Sequence, residues 1–464
     1  MGMLIRAAEV DGQRLDVRVA GGRIAALGPD LALALGERAL EAHGGALLPG
    51  LHDHHLHLLA WAAALGSLPC GPPDVEDERA LAAALRRAAR GTAFLRGVGY
   101  HESVAGALDR ARLDAWLADT PLRIQHRSGA LWMLNSAACR VLGLDAGVDA
   151  PGVERDAAGR ATGRLFRLDA WLRERLGPAA LPDLAPVGVT LARAGVTGVT
   201  DATPGQGPAA LAALAAAAAG GALPQRLVLL GAEADAAAPF EVGPAKLVLD
   251  ERALPPLAEL AERVGRAHRA GRAVAVHCVT RAELVLALAA IEEAGRRAGD
   301  RIEHASVAPP ELVAWIARLG VAVVTQPGFV RSRGDAYLRD VELRDRPWLY
   351  RCAGFAAAGV ALGAGTDAPF GEPDPWRAMQ AAVDRRTAAG ALLGAGEALS
   401  PERALALFTT PPDAPGAAPR RIMPGARADL CLLDRPWSRA RGALASDAVA
   451  ATIAAGRPIW IRPD

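Results

Sequence analysis

Four of the ten histidines of this 464-residue chain fall within six positions, His52, His54, His55 and His57 in the run LHDHHLHL. Residues two apart on a strand point to the same side, so either His52 with His54 or His55 with His57 can converge on one ion. Two further imidazoles close short apolar runs, His277 in AVAVHC and His304 in RIEHA, and one carboxylate, Asp367, closes VALGAGTD. Imidazole together with carboxylate suits Zn2+ or Mn2+. Lys246 is the other exceptional residue: of 52 basic residues it is the only lysine. A guanidinium stays protonated, whereas a buried ε-amine shifts its pKa readily, so this position calls for an amine. Such an amine can attack a carbonyl, or take up CO2 and become a carbamate whose two oxygens bridge two cations.

These groups need elements that bring them to one place. The runs GVTGVTD, QRLVLLG, KLVLD, AVAVHC, RIEHA, VAVVTQ and VALGAGTD alternate with helical stretches, which predicts βαβ units and a parallel sheet. With ALLPGLHDHHLHL as a first strand they make eight, the count of a (β/α)8 TIM barrel, whose chemistry sits at the C-terminal ends of its strands. The first strand and GVTGVTD are about 140 residues apart, far more than one βα step. An inserted cap is therefore expected over about residues 60–190 of a barrel spanning 48–415. Short alternating strands with Asp-Gly and Gly-Gly turns occupy residues 1–47, and the same texture returns over 416–464, which predicts a small composite β-sandwich built from both termini.

Composition excludes several classes. With 52 basic and 51 acidic residues the net charge is +1, so no global field draws nucleic acid or an anionic membrane. The five cysteines are scattered and never form a C-x-x-C pair, which argues against a disulfide framework or a thiolate site and for a reducing cytoplasm. Arg6, Glu9 and Asp11 interrupt the N-terminus before a signal-peptide core can form. Pro208 to Pro224 is mostly alanine, too short and too weakly apolar to span a bilayer, and is expected as a buried helix.

PGLHDHHLH resembles the first-strand pattern Pro-Gly-x-x-Asp-x-His-x-His of the amidohydrolase superfamily. That pattern registers Asp53 and thereby selects His55 and His57 over His52 and His54. GVGYHES, LDAWLADTPLRIQHRSGALWMLNSAA, PGVERDAAGRATG, AKLVLD, DRIEHA, TQPGF, GTDAPFGEPDPWRAM and PGARADLCLLD extend the resemblance from Leu4 to Ile461, to the branch with N-substituted formamide deformylases. The resemblance implies that Lys246 is carbamylated and bridges two ions. His55, His57 and Asp367 would hold one of them, and His277 with His304 the other. It implies Zn2+, with Mn2+ or Fe2+ as alternatives, and Asp367 as proton shuttle during attack of metal-bound hydroxide on an amide, formamide or related C–N bond.

A one-ion version with unmodified Lys246 stays open. The rival readings are a mononuclear deaminase and an inactive barrel serving as a binding protein. The expected partner is a small-molecule substrate, and relatives in the branch are often homodimers. The chain departs from the branch at Ser128–Ala130, Glu251 and Tyr100–His101. Trp132, Phe329 and Trp376 are candidate pocket walls, with a plain core role as the alternative for each.

Overall fold

The computed structural model describes residues 2–72, 74–148, 150–177, 181–232 and 238–463. The chain divides into two compact units, Met1–Leu58 with Leu184–Asp464, and Leu59–Asp183. The fold is α/β, as the alternation of strand and helix predicts.

The first unit carries two parallel sheets. In one, Leu51–Leu56 pairs with Val196–Asp201, which pairs with Arg226–Leu229 and that in turn with Glu241–Val242. In the other, Ala245–Val248, Val274–Cys278, Arg301–His304, Ala322–Thr325 and Leu362–Ala364 lie side by side in that order. Only Gly243 and Pro244 separate the last strand of the first sheet from the first strand of the second. At the opposite edges, Asp367 N donates to His55 O at 2.7 Å and His57 N donates to Ala368 O at 2.8 Å. Strands such as VTGVTD are buried on both faces, which is why they read as continuous β-branched runs rather than alternating ones. The helices between them are capped by local chemistry. Thr280 and Glu283 form a reciprocal capping box, and Asp374 and Ser400 cap helices that begin with proline.

The two termini share a second layer. Met3–Val10, Gln13–Ala20 and Arg23–Gly28 run antiparallel, while Leu47–Pro49 joins the C-terminal strands Leu430–Leu433, Val449–Ala454 and Arg457–Ile461 in another sheet. Ile5, Val17, Ile24, Leu430 and Ile453 belong to one buried cluster that draws on both ends of the chain. The first hairpin turns at Asp11 and Gly12, with φ of 47° and 80°, the positive pair that a tight two-residue turn requires.

The Leu59–Asp183 unit has a six-stranded mixed sheet and buried clusters of its own, around Leu81, Leu122 and Ile124 and around Leu134, Leu165 and Leu172. One expectation fails. The alanine-rich stretch forms the helix Pro208–Ala219, but only Leu214 on it is fully buried. Alanine exposes so little apolar area that an almost all-alanine helix can sit at the surface. No helix of the described residues is long and apolar enough to cross a membrane.

Candidate metal centre

The Leu51–Leu56 strand sorts its histidines by alternation. His52 and His54 lie together on one face, ring centroids 4.6 Å apart. His52 Nε2 meets Thr200 Oγ1 at 2.9 Å, and His54 Nε2 meets Thr410 Oγ1 at 2.8 Å. On that face each ring has its Nε2 engaged by a threonine. Asp53 points the other way, accepting from Thr366 N at 3.0 Å, Thr366 Oγ1 at 2.6 Å and His55 N at 3.1 Å. It thus fastens the segment before Asp367 to the strand that carries His55. Gly365 permits that approach, since a Cβ there would stand 2.5 Å from His55 N.

The outcome is that His57 Nε2 and His55 Nε2 lie 3.2 and 3.7 Å from Asp367 Oδ1. Among the described residues these three form the group whose ligand atoms all fall within 4.8 Å of one another. The remaining imidazoles continue the cluster: the ring centroids of His55 and His304 are 4.7 Å apart, those of His304 and His277 4.4 Å. Lys246 Nζ is buried without a hydrogen-bond partner, and its charge acts on His55, His277 and His304. Lys246 does not end its strand, where a barrel of this kind places its chemistry, but is the second residue of Ala245–Val248. The six residues singled out from the sequence therefore lie in one cluster of side chains.

Three residues that the sequence reading passed over hold the imidazoles in place. His55 Nδ1 donates to the Glu303 carboxylate in a short contact, His57 Nδ1 meets Thr203 Oγ1 at 2.9 Å, and His304 Nδ1 donates to Gln326 Oε1 at 2.6 Å. With Nδ1 engaged on the outside, each Nε2 is left to face the common space, the outer-sphere arrangement typical of metal-binding histidines. Glu303 is in turn gripped by Arg301 Nε at 2.6 Å. Strand alternation sets Glu303 on the face opposite His304, so a period-two pattern drawn through His304 does not include it. His304 itself, at φ 71°, leaves the strand conformation and breaks that alternation. Asp367 likewise sits at φ 57°. Left-handed backbone at a non-glycine residue is costly and clusters at functional sites.

The electrostatics suit a cation. Burial, and then the nearby Lys246 charge, lowers His55 to about 3, while burial leads the causes that hold His277 and His304 below the ordinary imidazole value. Burial also lowers Lys246, towards the neutral amine that reacts with CO2. Burial alone would raise Asp367, but the His57 hydrogen bond and the neighbouring imidazoles outweigh it and hold the carboxyl low. Neutral imidazoles beside an ionised carboxylate are the protonation states that metal ligation needs. Lys246 Nζ is buried and unpartnered, and Asp367 Oδ1 faces the imidazoles of His57 and His55. An orphaned buried amine of this kind costs about 1–3 kcal/mol, which carboxylation and a coordinated cation would relieve. The donor set fits a divalent metal.

The chain belongs to the amidohydrolase family. The family's profile matches residues 38–460, which makes the protein a hydrolase of carbon–nitrogen bonds. An N-substituted formamide deformylase from Arthrobacter pascens is 27% identical over 90% of each chain. The fold resembles that of an uncharacterized metal-dependent hydrolase from Pyrococcus horikoshii, with a TM-score of 0.72 at 20% identity over 94% of this chain and 98% of that one. A second uncharacterized metal-dependent hydrolase, from Pyrococcus furiosus, gives 0.70 at 22% identity over 94% and 99% of the two chains.

Of the candidate pocket walls, Trp376 is fully buried and donates from Nε1 to Ala194 O at 2.9 Å, a core role. Trp132 is buried in the Leu59–Asp183 unit and donates to Asp169 at 2.9 Å. Phe329 packs against Tyr350 with the Arg333 guanidinium 4.0 Å from its ring centroid. In the Leu59–Asp183 unit, His126 Nε2 and His101 Nε2 lie 3.1 and 3.9 Å from Glu102 Oε2.

Proposed function

We propose that this family member hydrolyses an amide, formamide or related C–N bond of a small molecule with two divalent cations, Zn2+ foremost. The observation that carries the reading is the convergence of four imidazoles, Asp367 and an unpartnered buried lysine amine, three of the imidazoles being fixed through Nδ1. His55, His57 and Asp367 would hold one cation and His277 with His304 the other, with Lys246 carboxylated between them. Such cations supply Lewis acidity towards the substrate carbonyl and towards water. Asp367, low in pKa and facing that space, accepts the proton of the attacking water and returns it to the departing nitrogen, so that one C–N bond is exchanged for a C–O bond and an amine leaves. Glu303, Thr203 and Gln326 keep His55, His57 and His304 oriented throughout.

The same reading assigns residues 48–415 to a closed (β/α)8 barrel interrupted by a cap over about 60–190, with 1–47 and 416–464 as a terminal β-sandwich. Support comes from the near-continuous 241–248 stretch that serves both sheets, the backbone hydrogen bonds of Asp367 and His57 at the other edges, and the separate Leu59–Asp183 unit. Five free, buried cysteines support a reducing cytoplasm.

The test is metal analysis of the purified protein with an assay of N-formyl and N-acyl amines. Two ions per chain and release of an amine are expected. One ion with release of ammonia from a ring or amidine carbon would favour a deaminase, and a metal-free, inert protein would overturn the reading. Asp367→Asn, folded but unable to take the proton, should lower turnover by about 10²–10⁴-fold.

A further inference from the structure

The sheet of the Leu59–Asp183 unit carries two guanidinium groups that the metal centre does not use. Arg96 and Arg123 are register partners on the adjacent strands Leu95–Tyr100 and Leu122–His126, so they stand side by side on one face. The next strand sets Trp132 opposite Gln125, two residues on from Arg123 and therefore on that same face. Both guanidinium carbons lie over the Trp132 ring, Arg123 at 5.0 Å and Arg96 at 5.3 Å from its centroid. Arg123 also lies 5.7 Å from the centroid of Phe94.

Their polar partners differ. Arg96 Nη1 donates to Ala63 O at 2.7 Å and to Ser67 Oγ, and its Nη2 reaches Gln125 Oε1 at 3.5 Å. Arg123 has ring neighbours but no acceptor among the described residues, and its Nε is buried without a hydrogen bond. The carboxylate that acts on both is Asp169, whose Oδ1 already accepts from Trp132 Nε1 at 2.9 Å and from Gln125 Nε2 at 3.5 Å. Two cations thus face one anion, and one positive charge is left over. Burial lowers both arginines, Arg96 to about 10, the direction expected where desolvation is not offset by opposite charge.

The chemistry that fits is narrow. Rings occupy the faces of a guanidinium and leave its N–H donors to an acceptor lying in its plane. A carboxylate meets that fork with two oxygens, and its single charge equals the surplus. Phe94, only partly buried, offers an apolar surface beside it. We infer that Arg123 anchors a carboxylate-binding site in the Leu59–Asp183 unit, for a small molecule whose carboxylate pairs with the guanidinium fork and whose apolar body lies on Phe94. The site shares no residue with the metal centre and stands whether or not C–N hydrolysis does.

The test uses 4-bromobenzoate with the metal-replete full-length protein at constant ionic strength. Anions also bind metals, so calorimetric titrations compare the parent with Arg123→Gln and Arg123→Lys, in which any step at the metal centre is common to all three. Circular dichroism checks folding, and Arg123→Lys carries the comparison if Arg123→Gln does not fold. The parent should show a binding step that weakens by about 10–100-fold in Arg123→Gln, the worth of hydrogen bonds to a charged group. Arg123→Lys, which keeps the charge without the fork, should lose less. 4-Bromobenzyl alcohol, the uncharged counterpart, should not show the step, and anomalous scattering from a soaked crystal should place bromine beside Phe94. A folded Arg123→Gln that binds 4-bromobenzoate as the parent does would overturn the inference and leave Arg123 a packing residue. Bromine found only among the imidazoles would overturn it as well. Inorganic phosphate binding through Arg123 as tightly as the benzoate would mark an unselective anion patch and overturn the carboxylate class.

Discussion

At the scale of residues, the single lysine makes the sharpest demand. Lys246 Nζ is buried, without a partner, and lowered in pKa by that burial, which favours the neutral amine a carbamate requires. Lys246→Arg cannot be carboxylated. It should lose at least one ion, read by elemental analysis, and nearly all turnover, and Lys246→Ala should regain part of its activity with added short-chain carboxylic acids. Full metal content and parental rate in Lys246→Arg would exclude the role. Glu303 makes a subtler demand, since it meets the site through His55 Nδ1 and is held by Arg301. Glu303→Gln keeps shape but gives up the charge that strengthens the imidazole. Outer-sphere changes of this kind cost about 10–100-fold in metal affinity. Competition with a chelator should show that loss, and an unchanged dissociation constant would leave Glu303 a merely structural residue.

At the scale of elements, the strands that carry the chemistry were legible because they are short apolar runs ending in polar residues. GVTGVTD became Val196–Asp201, AVAVHC became Val274–Cys278 and RIEHA became Arg301–His304. Spacing alone left His52 with His54 as open as His55 with His57, and only the Asp53 motif chose between them. Alternation is what separates the pairs in the folded strand, with threonines engaging the Nε2 atoms of the first. What stayed illegible lies where alternation stops. Glu303 shares the site because His304 turns left-handed, and Thr203 and Gln326 act from just beyond strand ends, where period-two patterns carry no information. The strand therefore predicts a clean division of phenotype. His55→Asn should release the ion that it shares with His57 and Asp367, while His52→Asn keeps the metal and costs about 1–3 kcal/mol of stability by orphaning Thr200. Metal content and denaturant midpoints measured on both variants would expose a register error if the ranking were reversed.

At the scale of the whole molecule, the five cysteines report on both units at once. Cys70 and Cys139 lie in the Leu59–Asp183 unit, Cys278, Cys352 and Cys431 in the other, and all five are free and buried. Burial pushes Cys70 and Cys431 up to about 12 and Cys139 and Cys352 up to about 11, and raises Cys278 well above its ordinary value. The thiolate is the reactive form, so near neutral pH these groups are shielded twice, by lack of access and by lack of charge. The sign for stability follows from the same shifts. In the unfolded chain the thiols ionise near the ordinary thiol value of 9.0, below their folded values, so the unfolded state binds fewer protons once the pH passes that value. The thiols favour the folded state less and less as pH climbs from there towards 11 and 12. A chromogenic aromatic disulfide at pH 8 should therefore find essentially no fast-reacting thiol in the native protein and all five after denaturation, and the guanidinium midpoint should fall between pH 7.5 and 9.5. A thiol that reacts in the native protein at the rate of a free cysteine would mark a part of the packing that opens far more readily than this burial allows.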